Sequence, residues 1–187
     1  MRITIRFFGI WALATLCLSL TGRAAAGEEE TWQQPLLITS AGQSAEVQLA
    51  AVLAKRAGLN YALEKTAEPA HLEGFKTLVL SLGASLKGLG AAGLDVPQEK
   101  ERVRRLLEAA AASDIPVLCL HLGGEARRGQ LSDEFISAFL PSARAALVVK
   151  SGNQDGLFTR LCREHEIFLM EADRAVNALE PLTTLFR

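Results

Sequence analysis

Five short, uninterrupted apolar runs are the feature of this sequence that most limits how the chain can fold. They are Leu36–Thr39, Thr77–Leu80, Pro116–Leu120, Ala146–Val149 and Ile167–Met170. A weaker strand is predicted over Tyr61–Leu63. Continuous apolar runs are typical of parallel strands covered on both faces, whereas strands with one wet face alternate polar and apolar residues. The sequence therefore predicts a mostly parallel sheet of five or six strands.

Helical patterns separate these runs. The predicted helices are Ser44–Ala57, Pro97–Ala112, Ser132–Leu140, Gly156–Glu164 and Asp173–Leu185. In the first helix Leu49 and Val52 are assigned to the apolar stripe, and in the second Arg102 is assigned to the solvent face. Strand and helix in alternation require right-handed crossovers. The expected fold is a three-layer α/β sandwich of the flavodoxin-like or Rossmann-like type.

The first residues have the three-part layout of a secretory signal peptide. It begins with the basic residues Arg2 and Arg6, continues with an apolar run over residues 7–20 and ends with small residues at Ala24–Ala26. This layout predicts cleavage between Ala26 and Gly27 and a periplasmic or secreted protein. The apolar run is shorter than the roughly 20 residues that span a bilayer as a helix, so no stable membrane anchor is expected after cleavage.

The remaining chain divides into a polar leader over residues 27–34 and a single α/β domain over residues 35–187. The formal net charge of the full chain is −1, which excludes the strongly basic surface of a nucleic-acid binder. Removing residues 1–26 takes away three arginines and no acidic residue, so the predicted mature chain is more acidic. Its two cysteines, Cys119 and Cys162, either form one disulfide or remain as two buried thiols.

Ligands of open parallel sheets bind outside the carboxyl ends of the strands, and the loops at that edge hold most of the glycines and polar residues of this chain. Glycine lets backbone N–H groups approach a ligand, and lysine or arginine attracts carboxylate and phosphate. The pattern predicts a binding module for a small anionic ligand. Its candidate residues are Ser40, Gly42, Gln43, Ser44, Lys87, His121, Arg127, Arg128, Asn153 and Asp155.

Each candidate also has a structural interpretation. Serine, asparagine and aspartate before a helix are good N-caps, which applies to Ser44, Ser132, Asn153 and Asp155. The arginine pair can instead form ion pairs with Asp133 and Glu134. His121 ends a buried strand, where a structural hydrogen bond is as reasonable as catalysis.

Two further functions remain open besides ligand binding. One is an exported hydrolase or transferase that uses His121 as a general base, and the other is a partner-binding accessory protein of the cell envelope. A Gly-x-Ser-x-Gly nucleophile elbow is missing, because Gly42–Glu46 fails at its last position. The glycine spacing of Gly88–Gly93 matches a dinucleotide motif but leads into a loop, so it is interpreted as coincidental, with a mobile lid as the alternative. The histidines and cysteines are scattered, and no metal or cofactor is predicted.

The same loops resemble a bacterial exported family known only as domain of unknown function 6305. The segments that carry the resemblance are Thr39–Ser44, Lys87–Gly93, His121–Gly129 with Ser132–Asp133, and Gly152–Asn153 with Asp155–Gly156. It spans Pro35–Phe186, nearly the whole predicted mature chain. The resemblance implies a signal-bearing bacterial protein with one domain and no assigned activity, and it transfers no catalytic residue.

Overall fold

The computed structural model describes residues 32–187. Within this range the chain forms a sheet of six strands in the order β2-β1-β3-β4-β5-β6, and every neighbouring pair is parallel. The strands are β1 Leu36–Ala41, β2 Tyr61–Leu63, β3 Thr77–Leu82, β4 Val117–His121, β5 Ala145–Val149 and β6 Phe168–Ala172. The predicted parallel sheet is confirmed, and the weak run at Tyr61–Leu63 is its edge strand.

Helices cover both faces of the sheet. They are α1 Glu46–Arg56, α2 Leu86–Ala91, α3 Val96–Ala112, α4 Gln130–Phe139, α5 Leu157–Glu164 and α6 Leu179–Leu185, with short 3-10 turns between several elements. Alternate residues of β1 show the two layers, because Leu36 packs in the core beneath α1 and α6 while Leu37 packs in the core beneath α3, α4 and α5. The three-layer α/β sandwich is therefore confirmed.

The strand order positions a crevice at one point of the sheet. The chain leaves β1 through α1 on one face and leaves β3 through α2 and α3 on the other. Because β1 and β3 are neighbours, their outgoing connections diverge at the carboxyl edge, which is the topological switch point where open α/β sheets bind ligands.

Three details of the helices differ from the sequence prediction. Leu49 and Val52 are 42% and 52% exposed, because α1 turns its small residues Ala50 and Ala54 toward the sheet. Arg102 is 3% exposed and lies within the protein rather than on the solvent face of α3. The short helix α2 forms inside the segment that was predicted to be a loop.

Several sequence predictions concern the N-terminal region. The predicted signal peptide and most of the polar leader lie outside the described residues. Within residues 32–187, no helix is both long and apolar enough to cross a membrane.

Both described cysteines are buried and free. Burial raises the pKa of the Cys162 thiol to about 11 and raises that of Cys119 further above its ordinary value. Of the two alternatives, the structure has the pair of buried thiols.

Candidate functional site

Two backbone turns pack against each other at the switch point. The turn after β1 and the turn after β3 meet through a bridge between Gln43 and Ala84, and the Ser85 N–H donates a 2.9 Å hydrogen bond to the Gly42 carbonyl. A Cβ at Gly42 would lie 2.6 Å from the Gly83 carbonyl oxygen, and one at Gly88 would collide with the Gln43 carbonyl oxygen. Gly42 and Gly88 are therefore needed for close packing of the two turns.

A buried carboxylate holds the β1–α1 turn from below. Oε1 of Glu99 accepts hydrogen bonds from the Gly42 backbone N–H at 2.9 Å and from the Gln43 side-chain amide at 3.0 Å. Gln43 has φ 57°, a conformation that non-glycine residues rarely adopt, and these bonds help to hold it there. Gly42 and Gln43 were predicted to bind an anionic ligand. Their N–H groups instead bind the carboxylate of Glu99, which is part of the same chain.

Arg102 balances the charge of Glu99. Its Nε donates to Glu99 Oε2 at 2.8 Å, and its terminal nitrogens donate to the carbonyl oxygens of Ser40 and Ala67. Glu99 is 0% exposed and Arg102 is 3% exposed. One buried ion pair on α3 therefore ties together the end of β1 and the connection that follows β2.

The buried Glu99–Arg102 pair was not predicted from the sequence. Its only local indication is the spacing of three residues between Glu99 and Arg102 on a helix. Glu101 and Arg104 have the same spacing and form an ion pair that is about half exposed. Spacing alone could not distinguish the buried pair from the surface pair.

Above this floor lies an open groove with a volume of about 760 Å³. It runs between the end of β2, the first turn of α1 and the exposed side of α2. Among the residues that line it are Gln43, Ser44, Lys65, Lys87 and Arg127. The structure thus brings together four of the sequence-predicted residues, Gln43, Ser44, Lys87 and Arg127, and adds Lys65.

The groove has more available cationic groups than available carboxylates. Lys65 and Lys87 are exposed, and no carboxylate among residues 32–187 lies within ion-pairing distance of either. Arg127 uses Nε for a 2.7 Å ion pair with Oε1 of Glu46, and its terminal nitrogens make no hydrogen bond within the described chain. The groove carboxylate, Glu64, accepts from the backbone and hydroxyl of Thr66 at 3.1 Å, and the backbone hydrogen bond lowers its pKa.

The N-terminus of α1 opens toward this groove without a side-chain cap. Its cap residue is Ala45, and Ser44, which was expected to be the N-cap, makes no side-chain hydrogen bond. The buried side-chain oxygens Ser40 Oγ, Ser44 Oγ, Ser81 Oγ and Glu46 Oε2 have no hydrogen-bond partner among residues 32–187. Buried polar groups are normally hydrogen-bonded, so the three hydroxyls are able to donate to solvent or a ligand, whereas the Glu46 carboxylate oxygen can only accept.

Strand periodicity explains why these oxygens gather beneath α1. Ser40 and Ser81 are register partners on β1 and β3. Each follows by two residues an apolar side chain of the core beneath α1, namely Ile38 and Val79. Residues two apart on a strand share a face, so both hydroxyls lie on the face that α1 covers.

His121 lies apart from the groove. Its side chain is 1% exposed and its ring centroid is 5.2 Å from that of Phe158. Nδ1 lies 2.9 Å from the Leu82 carbonyl oxygen and Nε2 lies 3.2 Å from the Gly124 carbonyl oxygen. Both ring nitrogens therefore contact backbone within the protein.

Arg128 and Asp155 form a clasp between the loops after β4 and β5. Arg128 donates through Nε to Asp133 at 2.6 Å, and its terminal nitrogens donate to both oxygens of Asp155 and to the Gly152 carbonyl. The hydrogen bonds from Arg128 are the main reason why the pKa of Asp155 is lowered to about 2. The predicted pairing of Arg128 with Asp133 is present.

Asn153 ends the 3-10 turn before α5 and bonds to the first turn of that helix, whose N-cap residue is Gly156. Its Oδ1 accepts from the backbone N–H groups of Phe158 and Thr159 at 3.0 and 3.3 Å, and its Nδ2 donates to Glu171 at 2.8 Å. Ser132, in contrast, lies within α4 and accepts from the Ala84 backbone N–H at 3.1 Å. Neither Asn153 nor Asp155 is the N-cap residue, but both side chains accept hydrogen bonds from the first N–H groups of α5, and the capping prediction is wrong for Ser132.

No group of three or more histidine, cysteine, aspartate or glutamate side chains in residues 32–187 is placed to hold a metal ion. The side chains that line the groove carry hydroxyl, amide, ammonium and guanidinium groups, with the Glu64 carboxylate beside them. Such donor groups suit the binding of an anion through charge and hydrogen bonds.

Solved structures with a similar fold were found by structural comparison. A hydroxyethylthiazole kinase protein from Pyrococcus horikoshii OT3 is 13% identical with a TM-score of 0.51, and the match covers 74% of this chain and 55% of that chain. The chain thus spans about half the length of this neighbour. AlinE4, an SGNH-hydrolase family esterase, is 15% identical with a TM-score of 0.30, covering 72% of this chain and 73% of that chain. The likeness to the kinase protein concerns the fold alone.

No curated protein matches this chain. A family profile described as a domain of unknown function, DUF6305, matches residues 33–186. This range includes the whole sheet, the groove and the clasp, and it confirms the resemblance seen in the loop segments. The chain therefore belongs to the DUF6305 family.

Proposed function

We propose that the protein binds a small anion in the groove at the N-terminus of α1. One observation carries the proposal: the buried, unpartnered Ser44 hydroxyl and the uncapped start of α1 line the same groove as Lys87 and Arg127. Free N–H groups at a helix N-terminus favour negative charge. The proposal includes export, with residues 1–26 as the signal peptide.

The groove residues have distinct roles in this proposal. The Ser44 hydroxyl and the backbone N–H groups of Ala45 and Glu46 donate hydrogen bonds to the anion, since the N–H groups of Val47 and Gln48 already donate to the Ser44 and Ala45 carbonyl oxygens. Lys87 and Lys65 supply point charges from the two rims, and the free terminal nitrogens of Arg127 supply a planar pair of donors. Gln43 holds the floor through its bonds to Glu99 and to the Lys65 carbonyl oxygen.

The alternative functions have less support. A general base must come within hydrogen-bonding reach of a substrate proton, and His121 is enclosed with both ring nitrogens next to backbone carbonyl oxygens. Catalysis by His121 stays a prediction. An accessory protein would use exposed apolar surface, and the large exposed apolar residues of the described chain lie on four different elements, namely Leu49 and Val52 on α1, Leu86 on α2, Phe168 on β6 and Val176 on a 3-10 turn.

Titration calorimetry of the purified protein with inorganic phosphate and citrate tests the proposal. We expect Lys87→Ala to weaken binding by about 1.5–3 kcal/mol, roughly tenfold to a hundredfold, as for the loss of a charged hydrogen bond. Lys76→Ala is the matched control, because Lys76 is also an exposed lysine and precedes β3 at the opposite edge of the sheet. The proposal would be contradicted if neither phosphate nor citrate binds, or if the Lys87→Ala and Lys76→Ala variants bind these anions with equal affinity.

A further inference from the structure

We infer that the anion bound in the groove is organic, with a short apolar body attached to a phosphate or carboxylate group. The inference rests on the proposed function and goes further by naming the class of ligand. It follows from the size of the groove and from the side chains that line it beyond the charged ones.

The groove is much larger than an inorganic anion. Its volume is about 760 Å³. A water molecule occupies about 30 Å³ of liquid, and pockets that bind organic molecules hold roughly 300–1,000 Å³. A phosphate ion at the N-terminus of α1 would leave most of this space to water.

Apolar side chains line much of the remaining space. They are Ala45, Leu63, Ala91 and Ala92, together with part of Val47. Ala91 and Ala92 are exposed and Leu63 is half-buried, so these groups present apolar surface to water inside a concave site. Covering that surface with hydrocarbon is favourable, whereas an inorganic anion leaves it wet.

The two unpaired lysines suit a ligand with both a charged and an apolar part. Lys65 stands at the end of β2 and Lys87 stands on α2, so they approach the groove from two sides. Lysine can lay its aliphatic stem along an apolar body while its ammonium group reaches the charged end. A ligand with one charged end and a short chain thus uses both the charge and the apolar surface of the groove.

A series of phosphates that differ only in alkyl length tests the inference. We expect affinity to rise from inorganic phosphate through methyl and butyl to hexyl phosphate, by up to about fourfold for each methylene that becomes fully buried. Titration calorimetry supplies the affinities. Ala91→Asn should flatten this rise, because it places a polar amide on the apolar surface, and Ala111→Asn is the control at an exposed alanine of α3.

The outcomes separate this inference from the proposed function. If wild type binds all four phosphates with equal affinity and Lys87→Ala loses this binding, the anion site stands and the inference of an organic ligand is overturned. Unchanged affinity for all four phosphates in Lys87→Ala would overturn the anion site, since binding would then be independent of the charge of Lys87. A rise that is identical in Ala91→Asn and Ala111→Asn would remove α2 from the binding surface and overturn the inference. Binding of none of the four phosphates would overturn both proposals.

Discussion

The two halves of the carboxyl edge of the sheet carry similar polar residues, but these residues differ in whether their side chains have partners within the protein. Near β4 and β5, the polar side chains of His121, Arg128 and Asn153 find partners within the protein. Near β1 and β3, Lys87 has no carboxylate partner in the described chain and the Ser44 hydroxyl has no hydrogen bond. Residue types at the right edge of a sheet therefore indicate a possible site, and the state of their hydrogen bonds distinguishes a clasp from a binding surface.

Topology explains the difference. The chain leaves both β4 and β5 toward the same face, through α4 and α5, and the 3-10 turns Gly124–Arg127 and Lys150–Asn153 contact each other across the edge. Arg128 then bridges the two loops. At β1 and β3 the connections leave on opposite faces. Their first turns pack together, and the groove stays open between α1, α2 and the end of β2.

Breaking the buried pair beneath the groove should have the largest effect on stability. Arg102→Ala leaves Glu99 as an unpaired buried charge, which we expect to cost about 3–5 kcal/mol of unfolding free energy. Arg104→Ala is the matched control, because it removes an exposed ion pair of the same spacing and should cost less than about 1 kcal/mol. Urea denaturation measures both. Similar losses in the two variants would mean that Glu99 finds another partner.

The clasp should be the next most sensitive element. Arg128→Ala removes the donor shared by Asp133, Asp155 and the Gly152 carbonyl, and we expect a loss of about 2 kcal/mol of unfolding free energy. Arg160→Ala, at an exposed ion pair with Glu164, is the control and should change stability by less than about 1 kcal/mol. Unchanged denaturation of the Arg128 variant would show that the two loops hold together without it.

The clasp should also weaken in acid. The pKa of Asp155 is lowered to about 2 in the folded protein, so its contribution is present above the ordinary aspartate pKa and is lost as pH falls through about 2. Wild type should be more stable than Asp155→Asn at about pH 5, and the difference should shrink toward about pH 2. Denaturation of both proteins across this range measures it. A constant difference would assign the effect of the substitution to packing.

The smallest effect on stability is expected at the groove. Lys87 is exposed and makes no ion pair with a described carboxylate, so Lys87→Ala should change the unfolding free energy by no more than about 0.5 kcal/mol. Thermal denaturation without added anion measures it. The variant should fail to gain the stabilisation that an anion gives wild type. A large loss of stability without anion would instead place Lys87 among the structural residues.

The strands could be predicted well because their cause is local. Continuous apolar runs bury themselves on both faces of a parallel sheet, and even the three-residue run Tyr61–Leu63 became a strand. The helix α2 could not be predicted, because its six residues include two glycines. Its formation depends on Ser85, whose hydroxyl caps it, and on close packing of Gly88 against Gln43.

The same distinction applies to the candidate site. Lys87 and Arg127 could be assigned to one edge because both follow strands of a parallel sheet. Arg102 could not be assigned to the interior, because its charge and spacing match those of Arg104 on the surface. Arg102 is buried because the chain between β2 and β3 packs against it. The Ala67 carbonyl oxygen of that segment accepts a hydrogen bond from the Arg102 guanidinium group.

The sequence by itself determined the parallel sheet, the alternating helices and the edge at which polar residues gather, because these follow from apolar periodicity and the direction of the strands. The tertiary structure decided which of those polar residues remain available to a ligand. Availability depends on partners far away in the chain, such as Glu99 beneath Gly42, 57 residues apart, and Asp155 beside Arg128, 27 residues apart. Distances of that kind are set by how the loops pack, and no local pattern of residues encodes them.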